Sequence, residues 1–83
     1  MKLSELPNIG KVTERQLMDA GIETPEQLRE LGAKEAFLRI RLHSDPEACV
    51  RVLYGLEGAV SGVQDTALDE TAKKDLLTFF RGL

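Results

Sequence analysis

Apolar positions along this chain recur at helical spacing. Between Ser44 and Gly62, the residues Ala48, Cys49, Val52, Leu53 and Leu56 fall at i, i+1, i+4, i+5 and i+8, one stripe on one helix face. Ser44 or Asp45 suits the N-cap of that helix, with Pro46 in its first turn. Upstream, Thr24-Pro25-Glu26-Gln27 is a helix start: Thr24 at the N-cap, Pro25 at N1 and Gln27 placed to close a capping box. Leu28 and Leu31 follow, and Gly32 fits the position just past the end. Lys11 to Ala20 holds no helix breaker and ends at Gly21, with Val12, Leu17, Met18 and Ala20 as its apolar content and Ile22 placed to pack back on it. In Ala33–His43, Ala36, Phe37 and Ile40 share a face that Leu38 and Leu42 widen. The LRIRL stretch within it also alternates as a strand would, but Ala33–Phe37 forms helix strongly and no hairpin partner lies nearby. A last helix starts near Asp69, with Leu68, Ala72, Leu76, Phe79 and Phe80 as its buried side. The pattern predicts an all-α fold, a compact bundle of about five short helices near 11–20, 25–31, 33–43, 46–57 and 69–81.

The 83 residues make one small domain, 1–83, with 42% apolar and 30% charged residues. No apolar run approaches the length of a membrane span, and the start, MKLSELPNIG, lacks the apolar core of a signal peptide, so a cytoplasmic protein is expected. Eleven basic and fourteen acidic residues give a net charge of −3. It divides as −2 over residues 1–31, +1 over 32–55 and −2 over 56–83, which argues against indiscriminate nucleic-acid binding. Gly55, Gly58 and Gly62 recur in or beside the fourth helix. Each interior glycine costs about 1 kcal/mol against alanine, so a close approach by another helix or by segment 59–63 is expected there.

Little here could carry catalysis. His43, the one histidine, sits near a helix end, where a cation is favoured. Cys49 is expected to be a small buried hydrophobe on the apolar stripe, slow to react in the folded protein. Ser4, Ser44 and Ser61 lie in no nucleophile elbow, and Glu23, Glu26 and Glu30 form a solvated strip. No phosphate-loop, dinucleotide or calcium-loop signature occurs, and one cysteine with one histidine cannot complete a zinc site. The expectation is no enzyme, no cofactor and no metal.

The segment Leu6–Leu28 resembles a helix-hairpin-helix, in which a tight turn presents backbone N–H groups to a phosphate at the next helix N-terminus. Gly10 and Lys11 stand where the phosphate would sit, with Arg15 one turn on, and Arg39, Arg41 and Arg51 as a basic group that could help. Asn8 replaces the first glycine of the pattern, and the helix before the turn is stubby or missing. The competing reading, a turn that merely inserts Leu6 and Ile9 into the core, is the favoured one.

Taken in order, LPNIG, GIETPEQL and LYGLEGA with Gly62-Val63 resemble the C-terminal domain of the TfoX/Sxy family, bacterial regulators of natural competence. The resemblance covers nearly the whole chain. It implies a helical fold with a helix-hairpin-helix-like start and a non-catalytic interaction domain acting in transcription regulation through a protein partner. The alternative is weak, sequence-independent DNA binding through Gly10, Lys11 and Arg15. No membrane partner is expected, and a homo-oligomer is compatible with the sequence.

Overall fold

The computed structural model describes residues 1–83. Its helices begin and end largely where the sequence supplies caps. They are α1 (Lys11–Asp19), α2 (Pro25–Leu31), α3 (Ala33–His43), α4 (Val50–Ser61) and α5 (Glu70–Arg81), with single 3₁₀ turns at Leu3–Glu5 and Asp65–Ala67. There are no strands, and LRIRL is helical.

Helix α1 closes with a Schellman turn: Gly21 at φ +84° lets its N–H reach Met18 O (3.0 Å) and the Ile22 N–H reach Leu17 O (2.9 Å), which buries Ile22. At the start of α2, the Gln27 N–H donates to Thr24 Oγ1 (3.1 Å) and the Thr24 N–H to Gln27 Oε1 (3.3 Å), the expected capping box. Gly32, at φ +82°, both ends α2 and begins α3, so the two helices meet at one residue. Asp69 caps α5 by accepting the Ala72 N–H at 2.7 Å.

The fourth helix departs from expectation. It starts at Val50 with Cys49 as N-cap, because Asp45 holds the preceding residues in a turn. Asp45 Oδ1 accepts the Glu47 N–H (3.0 Å) and its carbonyl accepts the Ala48 N–H (3.1 Å), so Pro46 lies in a turn and not in a helix. The start moves four residues past the expected one, and Cys49 is exposed instead of buried. The helix then runs through Gly55 and Gly58 to Ser61, and Gly62 ends it in the left-handed region.

The core is one cluster to which Leu3, Leu6, Ile9, Leu17, Ile22, Leu28, Phe37, Ile40, Leu53, Leu56 and Leu76 contribute large side chains. No polar or charged side chain is buried. Helix α3 is central, packing on α4, α1 and α2, while α5 rests mainly on α4. Three of the expected apolar faces are narrower than the pattern implies. Leu38 and Leu42 do not widen the buried face of α3 but face solvent, as do Val12 and Met18 on α1. On the last helix only Leu76 is fully buried; Leu68, Phe79 and Phe80 are half-buried against the core edge. The Phe37 and Phe80 rings meet edge to face at 5.9 Å, with the Arg41 guanidinium 5.7 Å from each ring centroid. Lys34 adds an ion pair to Asp75 at 2.8 Å, tying α3 to α5.

The close approach at the α4 glycines comes from the hairpin turn and from the chain leaving α4. Asn8 sits at φ +69°, and its Nδ2 donates to Gly55 O (3.2 Å) and Val63 O (3.0 Å), while its Oδ1 accepts the Asp65 N–H (3.0 Å). A Cβ on Gly58 would collide with Asn8 Nδ2 and lie 2.7 Å from Val63 O, whereas one on Gly55 would meet Asn8 Cβ at 3.4 Å, an ordinary contact. The two glycines therefore have opposite expected substitution effects. Gly58→Ala should destabilise by about 1–3 kcal/mol through overpacking. Gly55→Ala should be neutral or stabilise by up to about 1 kcal/mol, the helix-propensity gain. Urea unfolding of both variants checks this, and equal losses at the two sites would contradict the packing.

Candidate functional site

The turn Leu6–Gly10 positions the candidate residues. Leu6 and Ile9 point into the core, Asn8 takes the left-handed conformation and latches to α4, and Gly10 becomes the N-cap of α1. The turn thus inserts Leu6 and Ile9 into the core, the part of the sequence reading that concerns packing. It also leaves polar groups at the surface. Gly10 supplies no side-chain cap, and the first N–H with a partner inside the helix is that of Glu14, to Gly10 O at 2.9 Å. The amides of Lys11, Val12 and Thr13 point outward with no backbone acceptor, as at any helix start. A Cβ on Gly10 would touch nothing within 4 Å.

The charges around these amides are mixed. Lys11 is exposed and pairs with no carboxylate, but Arg15 is held by Asp19 at 3.2 Å. Lys11 and Arg15 share an open groove of about 530 Å³ with Glu14, Asp19 and Glu23. The Glu14 carboxylate accepts the Ser4 N–H at 2.9 Å, which fixes a negative charge beside the helix start. Two cations against three acids make a poor track for a polyanion. The structure brings Gly10, Lys11 and Arg15 together in α1, and offsets the charge of Arg15.

The supporting basic group does not assemble around the hairpin. Arg39 pairs with Glu35 at 3.5 Å, and Arg41 stacks on Phe37 and Phe80. Arg51 alone comes near the turn, in a cleft of about 250 Å³ that also holds Asn8, Thr13 and Asp65. No group of three His, Cys, Asp or Glu side chains converges in a way that could hold a metal ion, and no helix is long and apolar enough to cross a membrane.

The surface feature missed from the sequence lies on α3. Leu38 and Leu42, one turn apart, are 37% and 76% exposed. Their periodicity alone reads as core. The signal that could have separated them is the width of the face: Ala36, Phe37 and Ile40 already fill the stripe that α1, α2 and α4 cover.

Residues 1–80 match the TfoX C-terminal domain family. The chain is 34% identical over 76 residues to the DNA transformation protein TfoX1 of Aliivibrio fischeri, covering 92% of this chain and 36% of that protein. It is 35% identical over 75 residues to Protein Sxy of Escherichia coli K12, covering 90% of this chain and 35% of that protein. The chain thus spans about a third of the length of these relatives. Among solved structures, it superposes on the triclinic crystal form of an uncharacterized Listeria monocytogenes protein with a TM-score of 0.96 at 51% identity, covering 99% of this chain and 92% of that one. A tetragonal crystal form of a Listeria monocytogenes protein of unknown function gives a TM-score of 0.93 at 52% identity, covering 96% of each chain.

Cys49, moved from the core to the mouth of α4, has a direct consequence. In the native protein a thiol reagent should label it stoichiometrically at a rate close to that of the unfolded chain. Protection until unfolding would return Cys49 to the core.

Proposed function

Because this chain belongs to the TfoX C-terminal domain family, a family of competence regulators and not a known enzyme family, we propose that it is a non-catalytic interaction domain acting in transcription regulation through protein contacts. One observation carries the reading: Leu38 and Leu42 stand exposed on the central helix α3. Fully burying an exposed leucine is worth about 1.5–3 kcal/mol, so a partner that covers them would gain most of that at Leu42, 76% exposed, and a smaller part at Leu38, 37% exposed. Their i, i+4 spacing matches the apolar face of a partner helix laid along α3. Neither leucine is needed to close the core, so their exposure costs the fold nothing that a partner would not recover.

A second reading, weak sequence-independent DNA binding through Gly10, Lys11 and Arg15, is supported by the first amides of α1, which have no backbone acceptor. It is opposed by the net charge of −3 and by Glu14, Asp19 and Glu23 beside those residues. Few phosphate contacts are available, so binding at physiological salt should fall at or below the non-specific range of roughly 100 μM to 1 μM, with a shallow salt dependence.

Affinity capture from the host extract separates the two. Wild-type protein and Lys11→Glu should retain the same protein partner, and Leu42→Asp, with its helical circular dichroism unchanged, should lose it by at least about tenfold, the effect of a buried apolar contact. Recovery of nuclease-sensitive complexes that Lys11→Glu abolishes and Leu42→Asp spares would overturn the protein-contact reading.

A further inference from the structure

Helix α5 leaves a groove of about 360 Å³ against α4, lined by Tyr54, Glu70, Lys73, Lys74 and Leu77. That volume lies within the usual range for small-ligand sites, roughly 300–1,000 Å³. Tyr54 and Leu77 are both half-buried, and the Tyr54 ring is anchored against the core. Lys73 and Lys74 stand at the rim and pair with no carboxylate, although Glu70 precedes them by three and four residues on the same helix. Lys34, Arg15, Arg29 and Arg39 by contrast each meet a carboxylate, Asp75, Asp19, Glu26 and Glu35 respectively.

We propose that this groove binds a nucleotide unit, its base stacked against Tyr54 and Leu77 and its phosphate between Lys73 and Lys74. An anchored aromatic ring gives a planar base a stacking partner that is indifferent to base identity. Each ammonium, carried on a flexible four-carbon stem, supplies a point charge for the phosphate. Glu70, at the same rim, offsets part of the lysine charge, and with two lysines present the salt dependence is that of one or two contacts. The site goes beyond the α3 reading and does not rest on it: it lies on α4 and α5 and uses none of the residues argued there. The same chemistry is presented by a free mononucleotide and by one unit of a single-stranded nucleic acid.

The chain has one tyrosine and no tryptophan, so its intrinsic fluorescence reports on this groove. The full chain is titrated at low salt with adenosine monophosphate, with a ten-residue deoxythymidine oligomer and with a short polyglutamate. Amide shifts are followed in parallel by NMR. Expected are quenching of Tyr54 and shifts at Lys73, Lys74 and Leu77. Response to both nucleotide ligands identifies a mononucleotide site; response to the oligomer alone identifies a strand site. Tyr54→Phe should keep binding, Tyr54→Leu should weaken it by about tenfold or more through lost stacking, and Lys73→Glu, at the surface of α5, should do the same with the fold intact. The proposal fails if neither nucleotide ligand perturbs these residues at about 1 mM, a bound corresponding to roughly −4 kcal/mol. It also fails if the shifts fall on Gly10 and Lys11, or if polyglutamate binds as well as the oligomer, which would make the lysines a general anion surface. None of these results bears on capture through Leu42.

Discussion

The side chain of Asn8 ties the N-terminal turn to the fourth helix and to the chain that leaves it. With one amide it reaches the fourth helix at Gly55, the chain beyond that helix at Val63, and the start of the next turn at Asp65. The interaction demands two things of the sequence. Asn8 must accept a left-handed backbone, which asparagine does more readily than most residues. The fourth helix must present a surface without Cβ at Gly58, because the Asn8 amide and the Val63 carbonyl occupy that space. The glycine that weakens α4 by propensity is therefore the condition for docking the N-terminal turn. Small, one-sided cores need such cross-ties. A chain of this size buries only about 60% of its unfolded surface, so a few directed bonds between remote segments weigh heavily in its stability.

The same latch orders the rest of the bundle. Once the turn is fixed, Leu6 and Ile9 enter the core and Gly10 is set as the start of α1. The left-handed glycines at 21, 32 and 62 then end α1, α2 and α4, and at Gly32 one residue redirects the chain from α2 into α3. The last helix is attached differently. It buries Leu76 alone, and its position depends on edge contacts: Phe80 on Phe37, Arg41 beside both rings, and Lys34 on Asp75. These are exposed or half-exposed interactions, individually small. The groove beside Tyr54 is walled on one side by this helix.

Helices whose ends are set by local chemistry were legible in the sequence. The Thr24–Gln27 capping box, the Gly21–Ile22 turn and the Asp69 cap each depend on residues within a few positions of one another, and each formed as the residues imply. What was illegible depended on competition or on distance. At residues 45–49 two local solutions competed, a helix capped at Ser44 or Asp45 and a turn closed by Asp45, and the turn prevailed, which carried Cys49 out of the core. On α3, periodicity marks an apolar side but cannot say how much of it neighbours will cover, so Leu38 and Leu42 read as core. The glycines of α4 announced a close approach, but the partner was an asparagine about fifty positions away, which no local pattern could name. The candidate residues of the hairpin were legible as neighbours on α1; the acids that offset them, Asp19 and Glu23, mattered only once the groove had a shape.

No polar or charged side chain is buried in this domain, so none of its charges is fixed inside the core. That separates the fold from the function more cleanly than in an enzyme, where buried ionisable groups serve both. The core closes on the chain's own residues, and the same fold occurs in a solved chain of nearly the same length and matches about a third of each of two longer relatives. The core therefore does not depend on the other parts of those relatives for its closure. What distinguishes one such domain from another is then its surface: here two leucines on α3 that no neighbour covers, and a tyrosine with two unpaired lysines beside α5. Both features can change without disturbing the Asn8 latch, because neither shares a residue with it.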